Sequence, residues 1–179
     1  GNIAGISRSL VIDPRQPDTM YTTGVSGGIW KTTDGGANWR AVGDLLPILV
    51  IGSLAIDPTD PRVLYAGTGD GFTGLNPVRG AGIYRSADAG ATWTRLAATQ
   101  TSDFQYVNKL IISPSSGSRI YAATNAGVMR SADGGATWTK SLDRGLPSRG
   151  YHHMANHTDS ASDYLYASCE NQGFRSGKD

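Results

Sequence analysis

Short apolar segments alternate with polar turns along the whole chain, and the segments recur in the same order. A run rich in Leu, Ile and Val ends at Asp-Pro or Ser-Pro, and a second run containing tyrosine follows it. Runs this short, stopped by a turn signal, are typical of buried β-strands, because helices need greater length and a 3.6-residue period. The first runs are 9–12, 53–56 and 109–112, and the second are 19–23, 62–66 and 119–123.

A third apolar segment opens with glycine and leads into an octapeptide that occurs three times. The shared pattern is a hydroxyl residue, any residue, Asp, any residue, Gly, any residue, Thr or Asn, and Trp. The three copies are Thr32–Trp39, Ser86–Trp93 and Ser131–Trp138. A fourth strand is predicted to start at each Trp. The pattern therefore predicts units of four strands, and no stretch has a helical period.

A fourth unit follows, with predicted strands at 163–168 and 173–176. The tyrosines of the second strands, Tyr21, Tyr65, Tyr121 and Tyr166, are 44, 56 and 45 residues apart. A fourth octapeptide would put its Asp at position 178, where the chain has Lys178 followed by Asp179. The last unit is therefore out of register by one residue or cut off.

Four-stranded units repeating at this spacing predict an all-β fold, a β-propeller of antiparallel blades. The blades are expected at about 6–46, 50–98, 105–146 and, in part, 150–179. Since a closed propeller has roughly four to eight blades, we expect a piece of a larger propeller. The alternatives are closure with a second copy of the chain and closure through an unusual fourth blade.

The amino-acid composition restricts the classes of partner that the chain is expected to bind. The chain has 16 Lys and Arg against 15 Asp and Glu, and 17% of its residues are charged, which argues against nucleic acid. No apolar run reaches the roughly 20 residues that span a bilayer, and no signal-peptide pattern starts at Gly1. The chain is expected to be mature, a fragment or cytosolic. Its one cysteine, Cys169, excludes an internal disulfide.

The octapeptides resemble the Asp-box, or BNR, repeat of sialidase-like β-propellers. With the preceding Asp-Pro, Tyr and Gly-Ile-Trp-Lys elements, the chain is similar to bacterial BNR-repeat glycosyl hydrolase-like proteins. Relatives with such repeats include sialidases and xyloglucan-active glucanases. The resemblance covers about residues 9–178. It implies an extracellular or periplasmic protein, and no cofactor is expected.

The repeated residues of the octapeptides are predicted to be structural. An Asp in a turn accepts hydrogen bonds from backbone N–H groups about two residues on, Gly permits positive φ, and Trp buries its ring against the blade. Three equivalent aspartates on three blades cannot converge on one substrate. The residues are Asp34, Gly36, Trp39, Asp88, Gly90, Trp93, Asp133, Gly135 and Trp138.

The first departure from the repeat is the loop 67–80. Tyr65 and Asp88 are 23 residues apart, against 13 and 12 for the corresponding residues of the first and third blades. In the resembled fold this loop lies on the face opposite the Asp boxes, where binding loops belong. It carries Asp70, Phe72, Asn76 and Arg79, which suit a polar, sugar-like or peptide ligand. The alternative is a glycine-rich loop that fills the rim.

The second departure is the stretch 151–157, which holds all three histidines. It replaces an apolar first strand, in which His153 and His157 would share a face and His152 would point the other way. Three imidazoles this close together are chemically able to ligate Zn or Cu or to act as acid–base groups. A polar channel lining and an irregular edge strand are the alternatives, and no carboxylate or Cys stands at ligand spacing.

These departures predict one cleft across blades 2 to 4. Near the same rim, the first strands contribute further polar side chains. The candidate ligand-binding residues are Arg8, Asp70, Phe72, Arg79, Tyr106, Asn108, Lys109, Tyr151, His152 and His153.

Three functions fit such a cleft. The first is a module that recognises carbohydrate or a protein partner. The second is a sialidase- or glucanase-like glycoside hydrolase whose remaining catalytic residues lie partly outside this chain. Asp70 is its sole persuasive rim acid. The sialidase Phe/Tyr-Arg-Ile-Pro sequence is absent, and Arg8 is only a loose echo of it. The third is a metal site at His153 and His157.

Overall fold

Four antiparallel sheets follow one another along the chain, each built from consecutive strands. The computed structural model describes residues 7–71, 77–142, 153–158, 163–169 and 172–178. Blade 1 contains β1 (Ser7–Ile12), β2 (Met20–Gly24), β3 (Gly28–Thr32) and β4 (Arg40–Ala41). Blade 2 contains β5 (Ile51–Ile56), β6 (Leu64–Thr68), β7 (Ile83–Ser86) and β8 (Thr94–Arg95). Blade 3 contains β9 (Val107–Ser113), β10 (Ser116–Thr124), β11 (Gly127–Ser131) and β12 (Thr139–Leu142). Blade 4 contains β13 (His153–Thr158), β14 (Asp163–Cys169) and β15 (Gln172–Lys178).

The predicted order of four strands per unit is confirmed in blades 1 to 3. Two single-turn 3₁₀ helices, Ala97–Thr99 and Ser102–Phe104, connect β8 to β9 and have no counterpart in the sequence prediction. They are too short to produce the periodic apolar pattern that identifies a helix from sequence. Within the described ranges, no helix has the length and apolar character needed to cross a membrane.

The hydrophobic core is divided among the junctions between successive blades. The innermost strands β1, β5, β9 and β13 contact one another in that order. In β5, Leu54 packs in the cluster shared with blade 1, whereas its neighbour Ala55 packs in the cluster shared with blade 3. Both faces of β5 are therefore buried, which explains why the run around Leu54 and Ala55 is continuously apolar rather than alternating.

The three octapeptides, called Asp boxes below, lie between the third and fourth strands of blades 1 to 3, at the end opposite the loops that join the second and third strands. In the blade 3 copy, the Ser131 hydroxyl donates to Asp133 Oδ1 at 2.8 Å and accepts from the Gly135 amide at 2.9 Å. The Thr137 amide donates to Asp133 at 2.9 Å. The Asp thus accepts from a backbone N–H four residues on, not two as predicted, because two successive residues with positive φ, Gly134 and Gly135, fold the turn back.

The box carboxylates make stability depend on pH. Hydrogen bonds lower the pKa of each to about 2 from an ordinary value of 3.8. At Asp34 the largest cause of the lowered pKa is the hydrogen bond from the backbone amide of Asn38. At Asp88 and Asp133 the largest cause is the hydrogen bond from the hydroxyl of Thr92 and Thr137, respectively. Because the folded-state pKa lies below the unfolded one, this stabilisation is present above about pH 4 and is lost as the pH falls toward 2.

We therefore expect the three carboxylates to contribute to a fall in the thermal unfolding midpoint between about pH 4 and pH 2. The triple variant Asp34→Asn, Asp88→Asn, Asp133→Asn should be less stable at pH 6 and should show a shallower fall over the same interval. Calorimetry at a series of pH values measures both curves. Parallel curves for the variant and the parent would show that the boxes do not carry the dependence.

Each of the first two junctions is also held by a tyrosine of the second strand. Tyr21 donates its hydroxyl to the Ala89 carbonyl in the box of blade 2 at 3.2 Å, and Tyr65 donates to the Gly134 carbonyl in the box of blade 3 at 3.2 Å. Burial raises the pKa of Tyr21 to about 12. The Lys31 ammonium lies 5.1 Å from the centroid of the Tyr21 ring. These contacts tie each box to the preceding blade.

Candidate functional site

An ion pair joins two blades at the end of the structure opposite the Asp boxes. Arg8, in the inner strand β1, donates from Nη2 to both carboxylate oxygens of Asp70, at 3.2 and 3.1 Å. The Asp70 side chain is fully buried, and that of Arg8 is 20% exposed. A buried carboxylate needs such a partner, since an isolated charge is costly to remove from water.

The inserted loop holds Asp70 in place through its own backbone. The Asp70 amide donates to the Val78 carbonyl at 2.8 Å, and the Val78 amide returns a bond of 3.1 Å. The Gly69 amide donates to the Val50 carbonyl, and the Gly80 amide donates to the Gln105 carbonyl at 2.7 Å. Gly69 has a φ of +93°, a conformation that glycine adopts without steric cost. The loop is thus anchored on both sides.

Two further predicted residues lie against this loop. A Cβ added to Gly71 would stand 3.1 Å from Asn108 Oδ1 and 3.4 Å from Tyr106 Cβ. Both Asn108 and Tyr106 are buried, and the Tyr106 amide donates to the Asn125 side chain at 3.1 Å. Arg8, Asp70, Tyr106 and Asn108 therefore gather at one end of blades 1 to 3, and this set is called the rim cluster below.

The remaining candidates lie outside the rim cluster. Arg79 is exposed, and Lys109 is half-buried. Lys109 lines a cavity of about 350 Å³ among aliphatic side chains of the inner strands. Phe72, Tyr151 and His152 lie outside the described residues.

The histidine stretch forms the inner strand of blade 4. In β13, His153 pairs with Ser168 and His157 pairs with Tyr164. His153 begins this strand, so it occupies the end of blade 4 that Val107 occupies in blade 3. Asp70 and His153 therefore share one face of the structure by topology. The imidazole positions lie outside the described part of the chain, and the metal site stays a prediction.

The rim cluster is suited to holding a polar ligand rather than to acid–base chemistry by itself. It contains one carboxylate, Asp70, which already accepts from Arg8. The Arg8 side chain as a whole is 20% exposed. Sequence reasoning found all four members but missed the residues that position them, chiefly Gly69, Gly80 and Val78. The high glycine content of the loop was the sequence signal that could have indicated these positioning residues.

The chain is similar to carbohydrate-active enzymes, although no protein-family profile matches it. A xyloglucanase from a Paenibacillus species is 32% identical over 106 residues, which are 50% of this chain and 9% of that enzyme. A xyloglucanase from Hypocrea jecorina is 29% identical over 123 residues, 68% of this chain and 14% of that enzyme. The crystal structure of the glycoside hydrolase family 74 xyloglucanase from Xanthomonas campestris superposes on 99% of this chain, with a TM-score of 0.66 and 22% identity.

The fold is a β-propeller. The antiparallel blades and the superposition on a family 74 propeller enzyme confirm the predicted fold class. This propeller chain spans only a small part of its relatives, 29% of the Xanthomonas enzyme and less of the other two. The relatives described here are glucan-active enzymes rather than sialidases, so they support the glycosyl hydrolase-like part of the predicted resemblance.

Proposed function

We propose that this chain is the glucan-binding part of a xyloglucanase-like glycoside hydrolase, with the rim cluster as a sugar subsite. The observation that carries the proposal is the Arg8–Asp70 pair, which fixes a guanidinium between two blades in a chain similar to xyloglucanases. Arginine donors in fixed geometry hydrogen-bond the hydroxyl groups of a sugar ring. An extracellular or periplasmic location, where such polysaccharides are met, belongs to this proposal.

The proposal assigns different roles to the two charged residues. Arg8, which is partly exposed, contacts the sugar. Asp70, which is fully buried, is a positioning residue that orients Arg8. Hydrolysis of a glycosidic bond generally uses two carboxyl groups, one as acid and one as base or nucleophile. The rim cluster supplies one, so the reacting pair is assigned to residues outside the cluster, in the remaining blades of the protein.

Arg8→Ala in the full-length protein tests this proposal. We expect about a tenfold or larger loss in affinity for a xyloglucan oligosaccharide, because hydrogen bonds to a charged donor contribute about 1.5–3 kcal/mol. In turnover assays on xyloglucan the loss should appear mainly in KM. Asp70→Asn should lower affinity less than Arg8→Ala does, because Arg8 itself is retained.

Arg62→Ala is the matched control, since Arg62 is an exposed arginine whose partner, Asp60, lies two residues away in a surface turn. Isothermal titration with xyloglucan, cellulose-derived and sialylated oligosaccharides compares the ligand classes. Equal affinity of the Arg8→Ala variant and the control would remove the rim cluster as a subsite. Binding of the sialylated ligand alone would return the protein to the sialidase-like hypothesis.

A further inference from the structure

A second cavity lies on the opposite side of the propeller from the rim cluster. Its volume is about 450 Å³, and it is bounded by the end of blade 1 and by the Asp box of blade 2. The residues that define its walls are Arg40, Val42, Asp44, Leu45, Thr92 and Trp93. It is called the outer pocket below.

The walls of the outer pocket are fixed by hydrogen bonds. The Trp93 indole N–H donates to the Val42 carbonyl at 2.8 Å and to the Gly90 carbonyl at 3.1 Å. The Val42 amide donates to the Ile29 carbonyl at 2.9 Å. Because the polar edge of the indole is already bonded to the backbone, the surface that Trp93 offers the pocket is the apolar ring.

The mouth of the pocket carries side chains available to a ligand. Arg40 and Asp44 are exposed, and in the described ranges neither side chain takes part in an ion pair. Leu45 is 99% exposed. An apolar ring, an exposed leucine, one cation and one anion thus surround the same space.

The junction that holds the outer pocket departs from the repeat at Val42. Val42 occupies the position, three residues after the box Trp, that Leu96 occupies in blade 2. At the next junction, Leu96 fills the space against the following box so closely that a Cβ on Gly135 would lie 2.5 Å from its Cδ1. At the first junction, a Cβ on Gly90 would lie 3.4 Å from Val42 Cγ2. The shorter Val42 therefore packs less closely against the box of blade 2 than Leu96 packs against the box of blade 3. The cavity at that next junction, about 380 Å³, lies on the other side of Leu96, among Tyr65, Arg85 and Asp133.

Arg40 is a second departure at the same place. The residue directly after the box Trp is Thr94 in blade 2 and Thr139 in blade 3. The connection that follows also differs, since a 3₁₀ helix succeeds β8, whereas the exposed turn with Asp44 and Leu45 succeeds β4. The junction of blades 1 and 2 thus differs from the next junction in side-chain size at Val42, in charge at Arg40 and in exposed apolar surface at Leu45.

We propose that the outer pocket is a second carbohydrate-binding site, which takes a short segment of a neutral oligosaccharide. The Trp93 ring and Leu45 pack against the C–H face of a sugar, and Arg40 and Asp44 hydrogen-bond its hydroxyl groups. Cation and anion together favour a neutral ligand over a charged one. The choice of a glucan rests on the proposed function, but the site shares no residue with the rim cluster.

Filling the pocket tests the proposal without removing a polar group. Val42→Leu copies the residue found at the next junction and retains the backbone carbonyl that accepts from Trp93. We expect about a fivefold or larger loss of affinity for xyloglucan in gel affinity electrophoresis, measured in an Arg8→Ala background to isolate the outer pocket. The Arg40→Ala, Asp44→Ala double variant should show a similar loss, and Thr94→Ala, at the equivalent position of blade 2, should show none.

Hydrogen exchange of the full-length protein with a xyloglucan oligosaccharide locates the bound ligand. Protection of residues 40–45 that disappears in Val42→Leu supports the outer pocket, even if the rim cluster proves inactive. Protection confined to the rim, or equal affinity of Val42→Leu and Thr94→Ala, overturns the outer pocket and leaves the proposed function standing. Binding of a protein rather than a sugar at residues 40–45 would also overturn the outer-pocket proposal.

Discussion

Gly69→Ala is expected to lower the free energy of unfolding by about 3–5 kcal/mol and to abolish ligand binding at the rim cluster. Gly69 has a φ of +93°, which costs a non-glycine residue about 1–2 kcal/mol. The added Cβ would also lie 2.4 Å from the Gln105 carbonyl oxygen and 2.8 Å from the Gly80 amide nitrogen. Backbone atoms cannot move aside cheaply, so the loop that carries Asp70 must shift. Urea denaturation and titration with a xyloglucan oligosaccharide measure the two effects.

Gly35→Ala provides the control that separates strain from crowding. Gly35 also has a positive φ, +69°, but the nearest atom to an added Cβ is Asp18 Oδ1 at 3.5 Å, an ordinary contact. We expect a loss of only about 1–2 kcal/mol and unchanged binding. If the two variants were equally destabilised, close packing of the loop against Gln105 would not be what fixes the rim cluster.

Asp163→Ala is expected to destabilise the junction of blades 3 and 4 by about 3–5 kcal/mol. The Asp163 side chain is fully buried and accepts from Arg119 at 2.9 Å, Ser113 at 2.9 Å and Tyr121 at 3.2 Å. Removing the carboxylate takes this partner from Arg119, whose side chain is 28% exposed, and this acceptor from two hydroxyls. Breaking an ion pair whose carboxylate is fully buried is strongly destabilising. Native-state hydrogen exchange should show β13 and β14 opening well before β5 and β6.

The matched comparison is Asp60→Ala. Asp60 and Arg62 form an ion pair at 2.9 Å just before the second strand of blade 2, but their side chains are 36% and 75% exposed. Exposed pairs contribute little because water and salt screen them, so this variant should unfold almost as the parent does. A similar loss in both variants would mean that burial does not set the strength of the Asp163 contacts.

The strands and their order could be predicted because the packing of a blade requires a recognisable pattern of neighbouring residues in the sequence. The inner strand around Leu54 and Ala55 is buried on both faces, which leaves a continuous apolar run that stops at Asp-Pro. The glycines of the boxes are equally local signals, since Gly36, Gly90 and Gly135 have φ values of +96°, +87° and +94°. Each of these signals can be recognised from a few neighbouring residues in the sequence.

The residues of the rim cluster could be predicted from the sequence, but the contacts between them could not. Topology placed Arg8 and Asp70 on one rim, yet their ion pair joins residues 62 positions apart, and no local pattern encodes that separation. The complete burial of Asp70 follows from the bridge to Val78 and from the packing of Gly71 against Asn108. The outer pocket was missed altogether, because Val42 in place of Leu96 is an unremarkable change until the two junctions are compared.

The tyrosine contacts between blades give the array a direction. Tyr21 and Tyr65 each donate forward, to a carbonyl in the box of the next blade, and Tyr121 donates forward to the Asp163 carboxylate of blade 4. Any copy of the unit therefore presents a donor to its successor and an acceptor to its predecessor. Tandem duplication of the gene segment for one blade would create head-to-tail compatible surfaces in a single step, before any further mutation. Selection could then act on individual junctions, as the differing sizes of Val42 and Leu96 illustrate.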